Sequence, residues 1–250
     1  MIPKISVCVA SYNGAKFIRK QVESILLELA PSDEIIVCDD GSSDSTCSIV
    51  MSFNDARIVL VRNENNIGHV RNFEKALSLA KGRYIFLSDQ DDIWEPGKVA
   101  KVMDAFQQKC NAKLVYHNLT AIDEHGNVMQ GEMPQHSEGI KNSLFFLVHQ
   151  LVRAQIFGCA CCIDRALLNR LLPFPGNVYA HDHWIAVSAA VHGKVFFLKD
   201  SLVKHRQHGA NLTPKKRLPV RTILMLRAKL ISQILTAAYR RLSSNKSTEV

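Results

Sequence analysis

The segment Phe86-Leu-Ser-Asp89-Gln90-Asp91-Asp92-Ile-Trp94 places three carboxylates within four residues, directly after an apolar run. So close together, they repel one another unless a counter-charge intervenes. A divalent cation supplies one, since Mg²⁺ and Mn²⁺ prefer hard oxygen ligands and share them with phosphate oxygens. A solvated acidic loop, or a helix N-cap ahead of Pro96, fits the same pattern. Two more polar clusters follow apolar runs: Ser11-Tyr12-Asn13-Gly14 and Asp39-Asp40-Gly41-Ser42-Ser43-Asp44. Asp182, in His181-Asp-His-Trp184, is a carboxylate suited either to capping a helix or to removing a proton. Trp94 and Trp184 offer flat faces that pack equally well on a sugar ring or in a core.

The elements that must position these groups are legible from periodicity. Residues 5–9, 34–38, 57–61 and 84–87 are short apolar runs, expected as buried strands. Between them, residues 15–29, about 44–53 and 70–80 carry apolar positions at helical spacing. Ser43 or Asp44 is the expected cap of the second helix. Continuous apolar strands alternating with amphipathic helices predict an α/β fold with a mostly parallel, Rossmann-like sheet covered on both faces. In such sheets ligands bind beyond the carboxyl ends of the strands. Three of those ends carry the clusters Ser11–Gly14, Asp39–Asp44 and Asp89–Asp92. Further on, the pattern predicts helices near 96–108, 140–151, 165–171 and 182–191. Strands are expected at 114–116, 157–163 and 195–198, with a tight turn over 123–127.

These motifs, in this order, resemble family 2 glycosyltransferases with the GT-A fold. The resemblance rests on Val7-Cys-Val-Ala-Ser-Tyr-Asn-Gly14, on Glu34-Ile-Ile-Val-Cys-Asp-Asp-Gly-Ser-Ser-Asp-Ser-Thr46 and on Asp89-Gln-Asp91. His181-Asp-His-Trp184 and Arg206-Gln-His-Gly-Ala-Asn211 are similar to a rhamnosyltransferase-like branch that builds bacterial surface polysaccharides. Together they span residues 5 to about 212.

The resemblance implies a role for each cluster. Asp89 and Asp91 match the DxD motif, Asp91 as direct metal ligand and Asp89 nearer the donor ribose or metal-bound water. Asp39 matches the acid that reads the nucleobase, with Ala10, Ser11 and Tyr12 lining its pocket. Arg71 corresponds to a basic or polar donor contact, or is an exposed helix arginine. Asp182 matches the general base of inverting members, and His208 a histidine that completes the metal shell or touches the diphosphate. His181, Trp184 and Trp94 are expected around the sugar and acceptor pocket. Relatives often have Tyr where this chain has His205, and an aromatic or other residue at His183; both departures are expected to tune the site. The implied cofactor is Mn²⁺ or Mg²⁺. The implied partners are a nucleotide diphosphate sugar, of dTDP-rhamnose or UDP-hexose type, and a glycan or lipid-linked acceptor.

Charge separates the body from the tail. The chain holds 31 Lys and Arg against 23 Asp and Glu, a net +8. Residues 215–250 contribute nine basic residues and one acidic; the remaining 214 residues hold 22 of each. A neutral body argues against nucleic acid as partner. The expected domains are 1–212, split into a nucleotide-sugar half (1–110) and an acceptor half (111–212), and a tail, 213–250.

From Pro219 onward, Val220, Ile223, Leu224, Ile231, Ile234, Leu235, Ala238 and Leu242 recur at helical spacing. Arg221, Arg227, Lys229, Arg240 and Arg241 surround them. A basic amphipathic helix of this kind suits an anionic membrane surface, a domain face or a partner subunit. Met1-Ile2-Pro3-Lys4 has no signal-peptide pattern, and no run of about 18 apolar residues predicts a membrane span. The expected location is the cytoplasm, peripherally on the inner face of the membrane.

Seven cysteines, an odd number, lie in apolar runs. Cys159, Cys161 and Cys162 are too tightly spaced to ligate one metal from a strand, and are expected as buried thiols. A sugar nucleotidyltransferase would need a Gly-rich loop with Arg and Lys after the first strand, and a nicotinamide dehydrogenase a GxGxxG. Ser11–Gly14 is neither. A non-catalytic sugar-nucleotide-binding subunit would have lost one or more of Asp89, Asp91, Asp182 and His208. Without the QxxRW motif of processive synthases, one sugar or few per acceptor is expected.

Overall fold

The structure is a computed structural model describing residues 4–130, 143–152, 156–209 and 219–246. The start of the chain, the first residues of the helix expected from 140, Ala210 and Asn211 of the last motif, and the expected boundary at 212 lie outside the described residues.

The first half alternates as its sequence demands. Strand β1 (Ile5–Ser11) leads to helix α1 (Ile18–Leu26), then β2 (Glu34–Asp39), α2 (Thr46–Met51), β3 (Ile58–Arg62), α3 (His69–Leu79) and β4 (Tyr84–Asp89). Val7, Val9, Ile35, Val37 and Phe86 face one core cluster; Cys8, Ile36, Cys38, Ile85 and Leu87 face the other. A strand buried on both faces has no polar side to show, which is why these runs do not alternate.

The second half contributes β5 (Ile93–Trp94), α4 (Lys98–Gln108), β6 (Ala112–Ile122), α5 (Ser143–Val152) and β7 (Cys161–Asp164). It ends with α6 (Leu168–Leu171), α7 (His181–His192) and β8 (Lys194–Arg206). All eight strands form one sheet, ordered β3-β2-β1-β4-β7-β6-β8-β5.

The sheet is parallel only in part. Strands β3, β2, β1 and β4 pair in parallel, as do β6 and β8. Strand β7 runs antiparallel to both β4 and β6, and β5 antiparallel to β8. An apolar run reports burial but not direction, so this mixed half differs from the mostly parallel expectation. Residues 158–160, read as strand, form a 3₁₀ turn before β7. Strand β8, at 13 residues, is far longer than the expected four, because Lys199, Asp200 and Lys204 interrupt its apolar pattern.

Register sets the carboxyl ends side by side. Ser11 of β1 pairs with Asp39 of β2, and Ala10 pairs with Asp89 of β4. The three polar clusters seen in the sequence therefore share one rim of the sheet.

The tail forms helix α8 (Val220–Lys246), docked chiefly against α7. Its inward line is Leu230, Gln233, Ile234 and Ala237, with Leu230, Gln233 and Ala237 fully buried. Most of the expected stripe faces outward instead: Val220, Ile223, Leu224, Ile231, Leu235 and Leu242 are exposed. Three of its arginines serve the body. Arg227 donates to Gln150 O and Val152 O, Arg240 to Arg170 O, Leu171 O and Pro173 O, and Arg241 to Val191 O. These carbonyls lie in or just beyond the last turns of α5, α6 and α7, where acceptors are left without intrahelical donors. Among the described residues, no helix is long and apolar enough to cross a membrane.

Candidate active site

The three carboxylates of the loop after β4 have different fates. Asp91 Oδ2 lies 2.7 Å from His208 Nε2, both side chains being about one-eighth exposed. Asp92 is turned into the protein, where Oδ1 accepts from His205 Nδ1 and from Arg206 N, both at 3.0 Å. Burial disfavours the Asp92 charge, yet His205 and these hydrogen bonds hold its pKa below the usual carboxylate range. Burial likewise opposes charge on His205, but Asp92 above all lifts its pKa to about 9. The sequence reading treated His205 as tuning the site; the structure gives it a specific task, neutralising the third carboxylate.

Asp89, at the end of β4, carries the opposite perturbation. Burial, then the charges of Asp92 and Asp91, push its pKa well up; His205 opposes this, and Asp182 adds to it. That last effect is informative, because Asp182 comes from the first turn of α7 in the other half of the chain. Its negative charge is felt at Asp89 and also at His69, the first residue of α3. Asp182 is half-buried and accepts from His183 N at 2.8 Å, while Ala180 caps the helix. A carboxylate in a helix's first turn is also stabilised by the helix dipole. Asp182 thus lies within electrostatic reach of Asp89, two residues from the Asp91 that pairs with His208.

The first loop is tied to the loop after β4 by Gln90. Its side-chain amide accepts from Tyr12 N at 2.9 Å and donates to Tyr12 O at 3.0 Å. Gly14 makes room for it, since a Cβ there would stand 2.1 Å from Gln90 Oε1. Tyr12 is half-exposed, available to stack on a planar base.

Asp39 sits deeper than the resemblance implies. Fully buried, it accepts from Ser42 N at 2.8 Å, Ser42 Oγ at 2.5 Å and Ser11 Oγ at 3.2 Å. It ties the end of β1 to the loop after β2. Asp40, not singled out in the sequence, receives Ile67 N and Gly68 N at 2.9 Å and Asn63 Nδ2 at 2.8 Å, fixing the entry to α3.

The expectations for Trp184, Trp94 and His181 are corrected. Trp184 is fully buried, its indole N–H donating to Leu171 O at 3.1 Å beneath the Arg240 guanidinium. Trp94 is 3% exposed, with the buried Lys98 Nζ 4.0 Å above its ring. Both indoles are core residues with no face left for a sugar. His181 stacks on Phe73 at 3.8 Å, and burial drops its pKa to about 4, so it is neutral and inside. Arg71 reaches Glu74 and Phe174 O, lining a surface cavity of about 530 Å³ with Glu74, Lys75 and Leu172. None of these contacts points to the donor. Tyr179 is hydrogen-bonded to His183, next to Asp182.

The cysteines are thiols. Burial pushes the Cys159, Cys161 and Cys162 thiols well above the usual range, so all three are un-ionised. Cys159 does approach His205 Nδ1, at 3.9 Å, and with Asp92 forms a buried three-residue group of ligand type. The hydrogen-bonded Asp92–His205 pair accounts for it without an ion.

Asp91 and His208, with Asp89 beside them, fit a divalent cation. Carboxylate oxygen suits Mn²⁺ and Mg²⁺, and adjacent ligands in an octahedral shell stand about 3 Å apart, close to the Asp91–His208 separation.

Residues 6–171 match the family described as Glycosyl transferase family 2. The UDP-Glc:alpha-D-GlcNAc-diphosphoundecaprenol beta-1,3-glucosyltransferase WfgD of Escherichia coli is 31% identical over 186 residues, 74% of this chain and 68% of that protein. An uncharacterized glycosyltransferase of Rickettsia typhi is 27% identical over 216 residues, 84% of this chain and 66% of that protein. The crystal structure of S. aureus TarS 1–349 in complex with UDP-GlcNAc has a TM-score of 0.69 at 18% identity, covering 91% of this chain and 66% of that one. The chain thus spans about two thirds of the length of these relatives. The likeness to TarS establishes a GT-A fold.

Proposed function

The chain belongs to glycosyl transferase family 2, and from that premise we propose that it transfers one sugar from a nucleotide diphosphate donor to an acceptor hydroxyl, inverting the anomeric centre. The observation that carries this reading is the pairing of Asp91 with His208 at the strand rim, with Asp182 near enough to perturb Asp89.

In an inverting displacement the acceptor oxygen attacks the anomeric carbon while the diphosphate departs from the opposite face. Asp182 takes the acceptor's proton as the new bond forms. Asp91 and His208 would hold the divalent cation, which when bound neutralises charge on the departing diphosphate, with Asp89 nearer the donor ribose or a metal-bound water. The loop Ala10–Tyr12, braced by Asp39 and Gln90, receives the base. Because WfgD is named for UDP-Glc and a diphosphoundecaprenol acceptor, a UDP-hexose and a lipid-linked glycan are the donor and acceptor we favour over dTDP-rhamnose.

An acceptor of that kind resides at a membrane, and α8 supports docking there. Its outward stripe of Leu224, Ile231, Leu235 and Leu242 is exposed, and the helix has no acidic residue. Such a face favours an anionic surface on both apolar and electrostatic grounds.

The decisive assay incubates the protein with UDP-glucose, UDP-GlcNAc or dTDP-rhamnose, Mn²⁺ and a GlcNAc-diphospholipid, and assigns the new linkage by NMR. A product of opposite anomeric configuration to the donor is expected. Retention would overturn the role of Asp182. Nucleotide sugar made from sugar phosphate and nucleoside triphosphate would favour a nucleotidyltransferase. Failure of every nucleotide to bind would favour a non-catalytic assembly subunit.

A further inference from the structure

Arg206, the last residue of β8, is a buried arginine whose guanidinium reaches the backbone of two other segments. Its Nε donates to Asp91 O at 2.8 Å, and its Nη1 to Asp123 O at 3.0 Å and Glu124 O at 3.1 Å. Its backbone N–H meets Asp92 Oδ1. The guanidinium carbon lies 4.9 Å from the centre of the Phe17 ring, and that ring lies 5.0 Å from the His208 imidazole. One side chain therefore joins the loop after β4, the turn after β6 and the start of α1.

Burying a guanidinium is costly unless its donors are used and opposite charge is near. Here backbone carbonyls use the donors, and the carboxylates of Asp91 and Asp92 supply the charge. This arrangement fixes the backbone of Asp91 while leaving its carboxylate to face His208. His208 is held at the same time, being two residues beyond Arg206 and stacked near the ring on which Arg206 rests.

We propose that Arg206 is a positioning residue that, through Asp91 O and Phe17, keeps Asp91 and His208 in register for a divalent cation. The proposal rests on the reading of Asp91 and His208 as a cation site. Lysine at 206 would keep the charge but lose the fork that reaches two segments at once.

The test titrates Mn²⁺ alone into the full chain, following the free-ion signal by electron paramagnetic resonance, below the melting temperature of each variant. Arg206→Lys and Phe17→Leu are compared with the wild type and with Asp91→Asn. Loss of an orienting partner of a metal ligand typically weakens the metal about 10–100-fold, and a weakening in that range is expected for Arg206→Lys, with a smaller one for Phe17→Leu. Circular dichroism should be unchanged for both. If both variants bind Mn²⁺ as the wild type does while Asp91→Asn does not, the positioning role is overturned and the cation site stands. If Asp91→Asn also binds normally, or the wild type does not bind, the site reading fails and the proposal with it. Should Arg206→Lys not fold, the half-buried Phe17 decides the question, since Phe17→Leu removes the ring shared by guanidinium and imidazole.

Discussion

His208 Nε2 stands 2.7 Å from Asp91 Oδ2 although 117 residues separate the two in sequence. Such a contact brings the end of β8 back to the rim formed by β4, and it is made where neither side chain is more than slightly exposed. Replacing His208 with alanine leaves Asp91 facing a gap and removes one donor of the proposed cation site. We expect His208→Ala to lower Mn²⁺ affinity about 10–100-fold, and to abolish any thermal stabilisation by nucleotide that depends on Mn²⁺. Differential scanning fluorimetry with and without the ion measures this. Undiminished metal-dependent stabilisation would remove His208 from the site.

Asp182 supplies the second test. It makes one hydrogen bond, to the adjacent backbone N–H, so its carboxylate is not needed to hold distant segments together. Asp182→Asn keeps that acceptor and removes the base. Turnover should fall about 10²–10⁴-fold, the range in which a positioned general base contributes, with nucleotide affinity and melting temperature nearly unchanged. Equal loss of binding and turnover would mark it as a structural residue.

The first half of the fold and its rim were legible in the sequence for a physical reason. Strands buried on both faces are continuous apolar runs, and the polar residues after Val9, Cys38 and Leu87 then have only the strand ends to occupy. Direction was not legible: Cys161–Asp164 has the same composition whichever way it pairs. Only the resemblance, not composition or spacing, set Asp91 apart from Asp92. Adjacent carboxylates point apart, and only the arrival of His205 and His208 decides which is neutralised inside and which is left in the cleft. The two tryptophans were ambiguous because the same apolar face suits a sugar or a core. Which side of helix α8 docks on the body was not legible, because the helix is apolar on two sides. The line through Leu230 and Ala237 is sparser than the outward line through Leu224, Ile231 and Leu235, yet it is the one that α7 covers.

The Asp92–His205 pair makes stability depend on pH in a definite direction. The folded pKa of His205 is about 9, against 6.5 for the free side chain. A raised pKa means that the folded state holds the proton more tightly, so the contribution is complete below about pH 6.5 and is lost as pH rises through about 9. Its upper size is about 3 kcal/mol, from about 1.4 kcal/mol per tenfold change in proton affinity. Buried Lys98, lowered to about 8 mainly by desolvation, gives the opposite slope at higher pH. That slope is common to wild type and variant and cancels in their difference. The stability gap between wild type and His205→Gln, measured by urea unfolding, should therefore shrink between pH 6.5 and 9. A gap constant across that range would show that His205 is not charged in the folded protein.

Helix α8 divides its residues between two tasks, and the division can be tested at a membrane. Leu230 and Ala237 anchor it to the body, and Arg227, Arg240 and Arg241 are engaged with backbone carbonyls. Leu224, Ile231, Leu235 and Leu242 remain outside, spaced seven, four and seven residues apart and so along one side of the helix. Each is partly open to solvent, so changing them should not disturb the fold. The full chain should sediment with vesicles containing phosphatidylglycerol and much less with purely zwitterionic vesicles. Leu235→Asp with Leu242→Asp should reduce that binding about tenfold or more, since each change removes apolar burial and adds a charge repelled by the anionic surface. Binding that survives the double substitution would place the membrane contact elsewhere, whereas concentration-dependent dimerisation lost in the same variant would assign the stripe to a second copy of the chain.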